Sequence, residues 1–297
     1  MHERVQQHGR RNFLKGAAAI TGLSAVDGLH GLSALAESSA EPATKVREGS
    51  RSLFDGVSLS GWSRQIREAA MPGLGVWTAQ QGMIVGGQNQ PTIGSYLVTD
   101  GTFSDFEIEL EARPDWKTDT GVYVRTNPQG NVGFQACIDY RPHGAIGGYY
   151  GNGIGGFHAC DYCFSGKVDK DGRLVELVPE KPSEPLDATH HAPLDYSVPA
   201  AQFVRNWNYR GWNHFRIRSV DAVPSLTTWI NGLKVSQLDT AKMKSPDWDP
   251  AKVDNLVGRA GHIALEVHGN RPTDWLGTDR WKPGNVCRWR NIYIREL

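Results

Sequence analysis

The chain has 297 residues, and its 32 Lys and Arg balance 32 Asp and Glu to a formal net charge of zero. That neutrality argues against nucleic acid or an anionic membrane as the main partner. The length suits one large all-β domain or two small ones, and 34 Gly, 16 Pro and 10 Trp, with 39% hydrophobic residues overall, mark a turn-rich β protein.

Residues 1–36 read as an export address. Arg10-Arg11-Asn12-Phe13-Leu14-Lys15 is a twin-arginine pattern, followed by a mildly apolar run and a small-residue Ala34-Leu35-Ala36 site. The expectation is a mature chain starting near Glu37 that works in the periplasm or outside the cell. No cysteine sits at the cleavage site and no later apolar run spans a bilayer, so no membrane anchor is expected. Residues 37–50 read as a flexible leader, and 51–297 as the folded domain.

LFDGVSLSGW (Leu53 to Trp62) reads as an edge strand and turn, and WTAQQGMIVG (Trp77 to Gly86) as a hairpin about its central Gly. Tyr96 to Thr99 leads into FSDFEIELEAR (Phe103 to Arg113), where apolar and charged residues alternate. Phe106, Ile108 and Leu110 fall on one strand face and Glu107, Glu109 and Glu111 on the other. Three like charges in a row require protonation or a cationic partner, so this face is a first candidate for chemistry. GVYVR (Gly121 to Arg125) and GFQACID (Gly133 to Asp139) repeat the device. Val122, Val124, Phe134, Ala136 and Ile138 point inward; Tyr123, Arg125, Gln135, Cys137 and Asp139 point outward.

Further strands are expected in Trp212 to Val220, in Leu226 to Gln237 about an Asn-Gly turn, in Gly261 to Gly269 and in the terminal WRNIYIREL. In Gly261 to Gly269, Ile263, Leu265 and Val267 face the core while Ala264, Glu266 and His268 face away. The whole predicts a two-sheet β-sandwich with two long loop insertions, Tyr140 to Tyr209 and Asn270 to Val286, at the rim of one concave surface. The first is read as too glycine-rich for core and then too proline-rich for strand.

Four cysteines in an exported chain read first as two disulfides. Cys160 and Cys163 form a CDYC pair that can close locally, act as a redox dithiol or supply half a zinc site. The pairing of Cys137 and Cys287 is not legible. His158, Asp161, His190 and His191, with the carboxylates, are candidate ligands for a divalent ion, although no spacing is diagnostic.

LFDGVSLSGW, WTAQQGMIVG, YLVTDGTFSDFEIELEAR, GVYVR, WNHFRI, WINGLKV, GHIALEVHG and WRNIYIREL, in that order, resemble the 3-keto-disaccharide hydrolase family from about Leu53 to Leu297. The resemblance implies a concanavalin/laminarinase-like jelly-roll sandwich. It also implies action on glycosides whose C3 hydroxyl has been oxidised to a ketone by a separate sugar dehydrogenase. The chain departs from the family pattern at Gln135, Cys137 and Val267, where the family has Glu, Gln and Asp, and keeps His268.

A ketone at C3 acidifies the C2 hydrogen, so a base can remove it and the enolate can expel the group at C1. The outward faces supply carboxylates, a guanidinium and an imidazole for this chemistry. His268 is expected as base or acid, Glu109 or Glu111 in the complementary role, Asp139 as a further carboxylate, and Arg125 on the carboxylates and substrate oxygen. Gln135, Glu266, Tyr149, Trp275 and Trp281 are candidate substrate contacts. For each, the plainer reading is an ion-pair ladder, a capping histidine or loop packing. Two other functions compete: a non-catalytic carbohydrate-binding module, and an ordinary glycosidase of the same fold.

Overall fold

A computed structural model describes residues 47–297 except 68, 70–72, 91, 183–189 and 272–274, so the export address and most of the leader lie outside the described residues. Numbered in chain order, the strands are β1 (Arg51–Ser52), β2 (Trp62–Ile66), β3 (Val76–Gln80), β4 (Met83–Gly87), β5 (Ser95–Thr99) and β6 (Phe106–Pro114). Then come β7 (Gly121–Thr126), β8 (Gly133–Ile138), β9 (Ile146–Asn152), β10 (His158–Ala159), β11 (Cys163–Val168) and β12 (Leu174–Glu180). The last are β13 (Tyr196–Ser197), β14 (Asn213–Val220), β15 (Ser225–Ile230), β16 (Leu233–Asp239), β17 (His262–Val267) and β18 (Val286–Glu296). Two short helices, α1 (Ala200–Asn206) and α2 (Pro250–Val257), join them.

Two antiparallel sheets form the expected sandwich. The first runs β13-β16-β15-β14-β6-β18-β4-β3 with β1 on β18, and the second runs β10-β9-β8-β7-β17-β5-β2. Phe106, Ile108 and Leu110 of β6 meet Val122 and Val124 of β7, Phe134 and Ile138 of β8, and Ile263, Leu265 and Val267 of β17 in one core. Each such side chain stabilises the fold by roughly 1.5–3 kcal/mol through removal from water. The hairpins close where their turn residues predict: Gln81 and Gly82 join β3 to β4, and Asn231 and Gly232 join β15 to β16, all with positive φ. No helix among the described residues is long and apolar enough to cross a membrane.

The Tyr140 to Tyr209 segment corrects the expectation of a structureless loop. It contributes β9 and β10 to the second sheet, a separate β11–β12 hairpin, and α1. Its glycines allow close packing: a Cβ on Gly151 would sit 2.3 Å from the Phe157 ring, and one on Gly147, at φ +82°, 2.6 Å from Val235. Phe164, Phe203 and Trp207 stack in turn, with ring centroids 5.0 and 5.8 Å apart, which ties hairpin and helix to the core.

The two-disulfide expectation fails. Cys287 lies in the main core with no other cysteine in its cluster, whereas Cys137, Cys160 and Cys163 share a separate buried cluster against Tyr150.

Candidate active site

The acidic face of β6 is the outer face of the first sheet, and its partners come from the neighbouring strands. Glu107, Glu109 and Glu111 stand opposite Arg218, Arg216 and His214 of β14, while Arg295 and Arg290 of β18 oppose Glu107 and Glu111. Arg47 Nε lies 2.6 Å from Glu109 Oε1, His214 Nε2 3.1 Å from Glu109 Oε2, and Arg295 Nη2 2.8 Å from Glu107 Oε2. Burial acts to raise Glu109, but the His214 hydrogen bond with Arg47 and Arg216 outweighs it and holds the carboxyl below its ordinary value. Glu109 and Glu111 are thus members of an ion-pair ladder on the sheet that does not carry His268, which corrects their expected catalytic role.

Arg125 is also displaced from its expected place. The β7–β17 register shifts between His262 and Ala264, and Arg125 takes φ +49°. That bulge breaks the alternation and sends a buried side chain to the carbonyls of Asp221 (2.8 Å), Ala222 (3.0 Å) and Gly258. It ties two loops together and is not among the residues that line the hollow on the outer face of the second sheet. Tyr149 points into the sandwich, where its hydroxyl meets Thr228 Oγ1 at 2.9 Å, and Trp281 is fully buried with its indole N–H donated to Asn285 O at 3.0 Å. Trp275 is 46% exposed beside His143 and lines no hollow with the others.

The remaining predicted residues do converge. The outer face of the second sheet holds a hollow of about 170 Å³ whose walls include Gln135, Asp139 and His268, together with Arg67, Asp119, Tyr123, Arg141, Tyr150, His158 and Arg280. Strand alternation puts them there: Gln135 of β8 stands across from Tyr123 of β7 on one side and Tyr150 of β9 on the other. Arg67 follows β2, Asp119 precedes β7, and Arg280 comes from the second insertion.

A buried charge network fixes these groups. Arg141 Nε donates to Asp119 Oδ2 at 2.7 Å, and Arg280 Nη1 donates to the same oxygen. Burial would raise Asp119, yet the two guanidiniums override it and hold the carboxyl well below the usual range. Arg141 Nη2 also lies 3.9 Å from Asp139 Oδ2. Glu266 sits at the base of the network, where Arg67 Nε donates to Oε1 at 3.1 Å and Gln135 Nε2 to Oε2 at 2.8 Å. Burial pushes Glu266 up to about 7, with Asp119 adding to the rise and Arg67 opposing it.

His268 Nε2 lies 2.7 Å from Arg67 Nη2. A guanidinium only donates, so Nε2 accepts, and the ring proton sits on Nδ1, 2.6 Å from Gly269 O. Burial, then Arg67, depress its pKa well below the ordinary histidine value, so the imidazole is neutral at neutral pH. Tyr123 donates to Gln135 Oε1 at 3.2 Å, and the Tyr150 and His158 rings lie 4.4 Å apart.

The suggested metal ligands do not assemble. His158 lines the hollow, His190 pairs with Asp247 at 3.1 Å, His191 faces the Cys160 carbonyl, and Asp161 is exposed. Among the described residues no group of three or more His, Cys, Asp or Glu is arranged around a common point that could hold an ion.

Arg67, Asp119, Arg141 and Arg280 escaped the sequence reading. Arg141 could have been found, since it continues the alternation Gln135, Cys137, Asp139; the other three come from strand ends and loops, where periodicity is silent.

Among solved structures the fold resembles a candidate glycosyl hydrolase from Parabacteroides distasonis, with 17% identity, 84% of this chain and 94% of that one covered, and a TM-score of 0.47. It also resembles carbohydrate-binding module CBM66 from Bacillus subtilis, with 10% identity, 80% and 96% coverage and a TM-score of 0.38. A Bacillus subtilis protein of unknown function with a galectin-like fold gives 9% identity, 80% and 90% coverage and a TM-score of 0.41. No curated protein matches the chain. Residues 49–295 match the 3-keto-alpha-glucoside-1,2-lyase-like domain, and the chain belongs to that family.

Proposed function

We propose that the hollow on the second sheet binds one ring of a 3-keto-glycoside and cleaves its glycosidic bond by elimination. The observation that carries this reading is the convergence of Arg67, Arg141 and Arg280 with the Asp119 and Asp139 carboxylates on one small cavity. At about 170 Å³ it lies below the roughly 300–1,000 Å³ of pockets for drug-sized ligands, which suits a single sugar ring.

In this reading the Asp139 carboxylate removes the C2 proton. The electrons move toward the C3 carbonyl oxygen, and the enolate is stabilised by Arg67 and Arg280, whose side chains are 15% and 14% exposed and so offer the cavity more surface than Arg141 at 1%. The enolate then forms the C1–C2 double bond as the C1–O bond breaks. Tyr150 or His158 protonates the departing oxygen, and water adds back across the double bond. Neutral His268 positions Arg67 and does not itself touch the reacting atoms, because Arg67 occupies its only lone pair. The ketone substrate implies a separate sugar 3-dehydrogenase upstream. The ordinary-glycosidase reading lacks a pair of facing carboxyls, since two guanidiniums lock Asp119 and Gln135 and Arg67 hold Glu266.

The test compares 3-keto and unoxidised forms of one glucoside, with solvent deuterium followed at C2. Asp139→Asn is expected to lower turnover by about 10²–10⁴-fold. Full activity in that variant, or turnover without C2 exchange, removes the assignment. Binding of both sugars with no turnover would instead identify a carbohydrate-binding module. We also propose export by the twin-arginine route to the periplasm or beyond. Changing Arg10 and Arg11 to Lys should leave precursor in the cytoplasm, and unimpaired secretion refutes it.

A further inference from the structure

The largest cleft among the described cavities is not the hollow. A volume of about 610 Å³ opens at the rim of the first sheet, where β6 ends, β14 and β18 begin, and the β11–β12 hairpin approaches the Trp207–Gly211 connection. Its floor is aromatic: the Tyr140 ring lies 5.2 Å from Trp116 and 5.5 Å from Trp207. The Trp207 residue is only 4% exposed, and its indole N–H is turned toward the Tyr140 hydroxyl. Burial pushes the neighbouring Tyr140 hydroxyl up to about 12, with the Trp207 indole opposing the rise. A donor and a hydroxyl therefore meet in a pocket floor otherwise made of ring faces and edges.

The walls are charged. Four arginines line the cleft against two aspartates, Asp115 and Asp169. Asp115 is engaged by Arg288 at 2.7 Å, while Asp169 accepts from the Asp171 and Arg173 backbone amides and stands near the exposed Arg210.

We propose that this cleft is a second binding site, and that it takes a saccharide bearing a carboxylate, a uronate unit. Aromatic floors pack against the C–H faces of a pyranose, and the Tyr140 hydroxyl, oriented by the indole N–H beneath it, serves its ring substituents. The excess of arginine favours an anionic group. The aspartates accept from the several hydroxyls of a sugar ring and repel a compact anion such as phosphate, which carries more charge with far fewer hydroxyls. Tyr140 faces this cleft while Asp139 and Arg141, its neighbours in sequence, face the hollow, so the two sites stand back to back and the proposal does not depend on catalysis in the hollow.

The test is calorimetric titration of the full chain with a glucuronate-containing disaccharide, its neutral methyl ester, and inorganic phosphate. The acid is expected to bind at least about tenfold more tightly than the ester, through a charge-assisted contact. Arg210→Ala, at an exposed position that leaves the core untouched, should erase that preference and leave cleavage of 3-keto substrates unchanged. Trp207→Phe, which keeps a ring but removes the N–H, should weaken acid and ester alike. Asp139→Asn should leave all three titrations as they are. Equal binding of acid and ester, binding of neither, phosphate binding as tightly as the uronate, or an undiminished preference in Arg210→Ala would each overturn the proposal.

Discussion

Replacing Asp119 by Asn removes the negative charge shared by Arg141 and Arg280 while preserving the shape of the side chain. The Arg141 side chain is 1% exposed and that of Asp119 4%, so the guanidinium is left in the protein interior with Asp139, 3.9 Å away, and the Pro142 carbonyl, 3.0 Å from Nη1, to answer it. Removing one member of a buried ion pair costs about 3–5 kcal/mol. Asp139 remains as partial compensation, which puts the expected loss near the lower end, about 3 kcal/mol. With a urea dependence of roughly 3 kcal/mol per molar, that is a fall of about 1 M in the unfolding midpoint.

Arg141→Met should cost less, because Arg280 still holds the carboxylate, and the double variant should be more stable than the sum of the two losses predicts. The Asp119 carboxyl is held well below its ordinary value, so its contribution is complete above the unfolded-state value of roughly 4 and disappears as pH falls below it toward the folded-state value. The gap between wild type and Asp119→Asn should therefore narrow in acid. Equilibrium urea unfolding at pH 7 and pH 3 reads both effects. A loss under about 1 kcal/mol at pH 7, or strict additivity in the double variant, would refute a buried, coupled network.

Other changes separate the two sheets. Glu109→Gln with Glu111→Gln should leave turnover of a 3-keto glucoside unchanged and cost about 1–2 kcal/mol in urea unfolding, since the pair belongs to the ladder of the first sheet. Glu266 is raised from 4.5 to about 7 in the folded protein, so the folded state holds a proton that the unfolded state has lost across that window. Stability should therefore decline by up to about 3 kcal/mol between pH 5 and pH 8, and Glu266→Gln should flatten that decline in pH-dependent unfolding. Trp281→Ala should cost about 3–5 kcal/mol, as for a large buried ring, whereas Trp275→Ala at a 46% exposed position should move the urea midpoint little. Arg125→Met should destabilise the fold by leaving buried carbonyls without their donor. Its catalytic rate should stay intact when measured well below the unfolding midpoint.

Much of the architecture is legible in the chain itself. The inward residues of β6, β7, β8 and β17 follow from alternation alone, because a strand's side chains change face at every step and water excludes the apolar set. The Asn231-Gly232 turn is legible for a related reason: both residues tolerate the positive φ that a tight hairpin demands. Gln135, Asp139, Glu266 and His268 were correctly set on outward faces, and three of them line the hollow with the fourth beneath it. The order of the motifs was enough to point to the family.

Alternation distinguishes inside from outside, but it is blind to which sheet a strand joins. Glu109 and His268 both face outward, one on each sheet, and only the strand order separates them. The three glutamates of β6 looked like unbalanced charge because their partners on β14 and β18 lie more than a hundred residues away along the chain. One bulge turned Arg125 out of register, and one step of parity put Tyr150, not Tyr149, in the hollow. Arg67, Asp119 and Arg280 enter from strand ends and loops, where backbone direction is set by packing between distant segments and no local period records it.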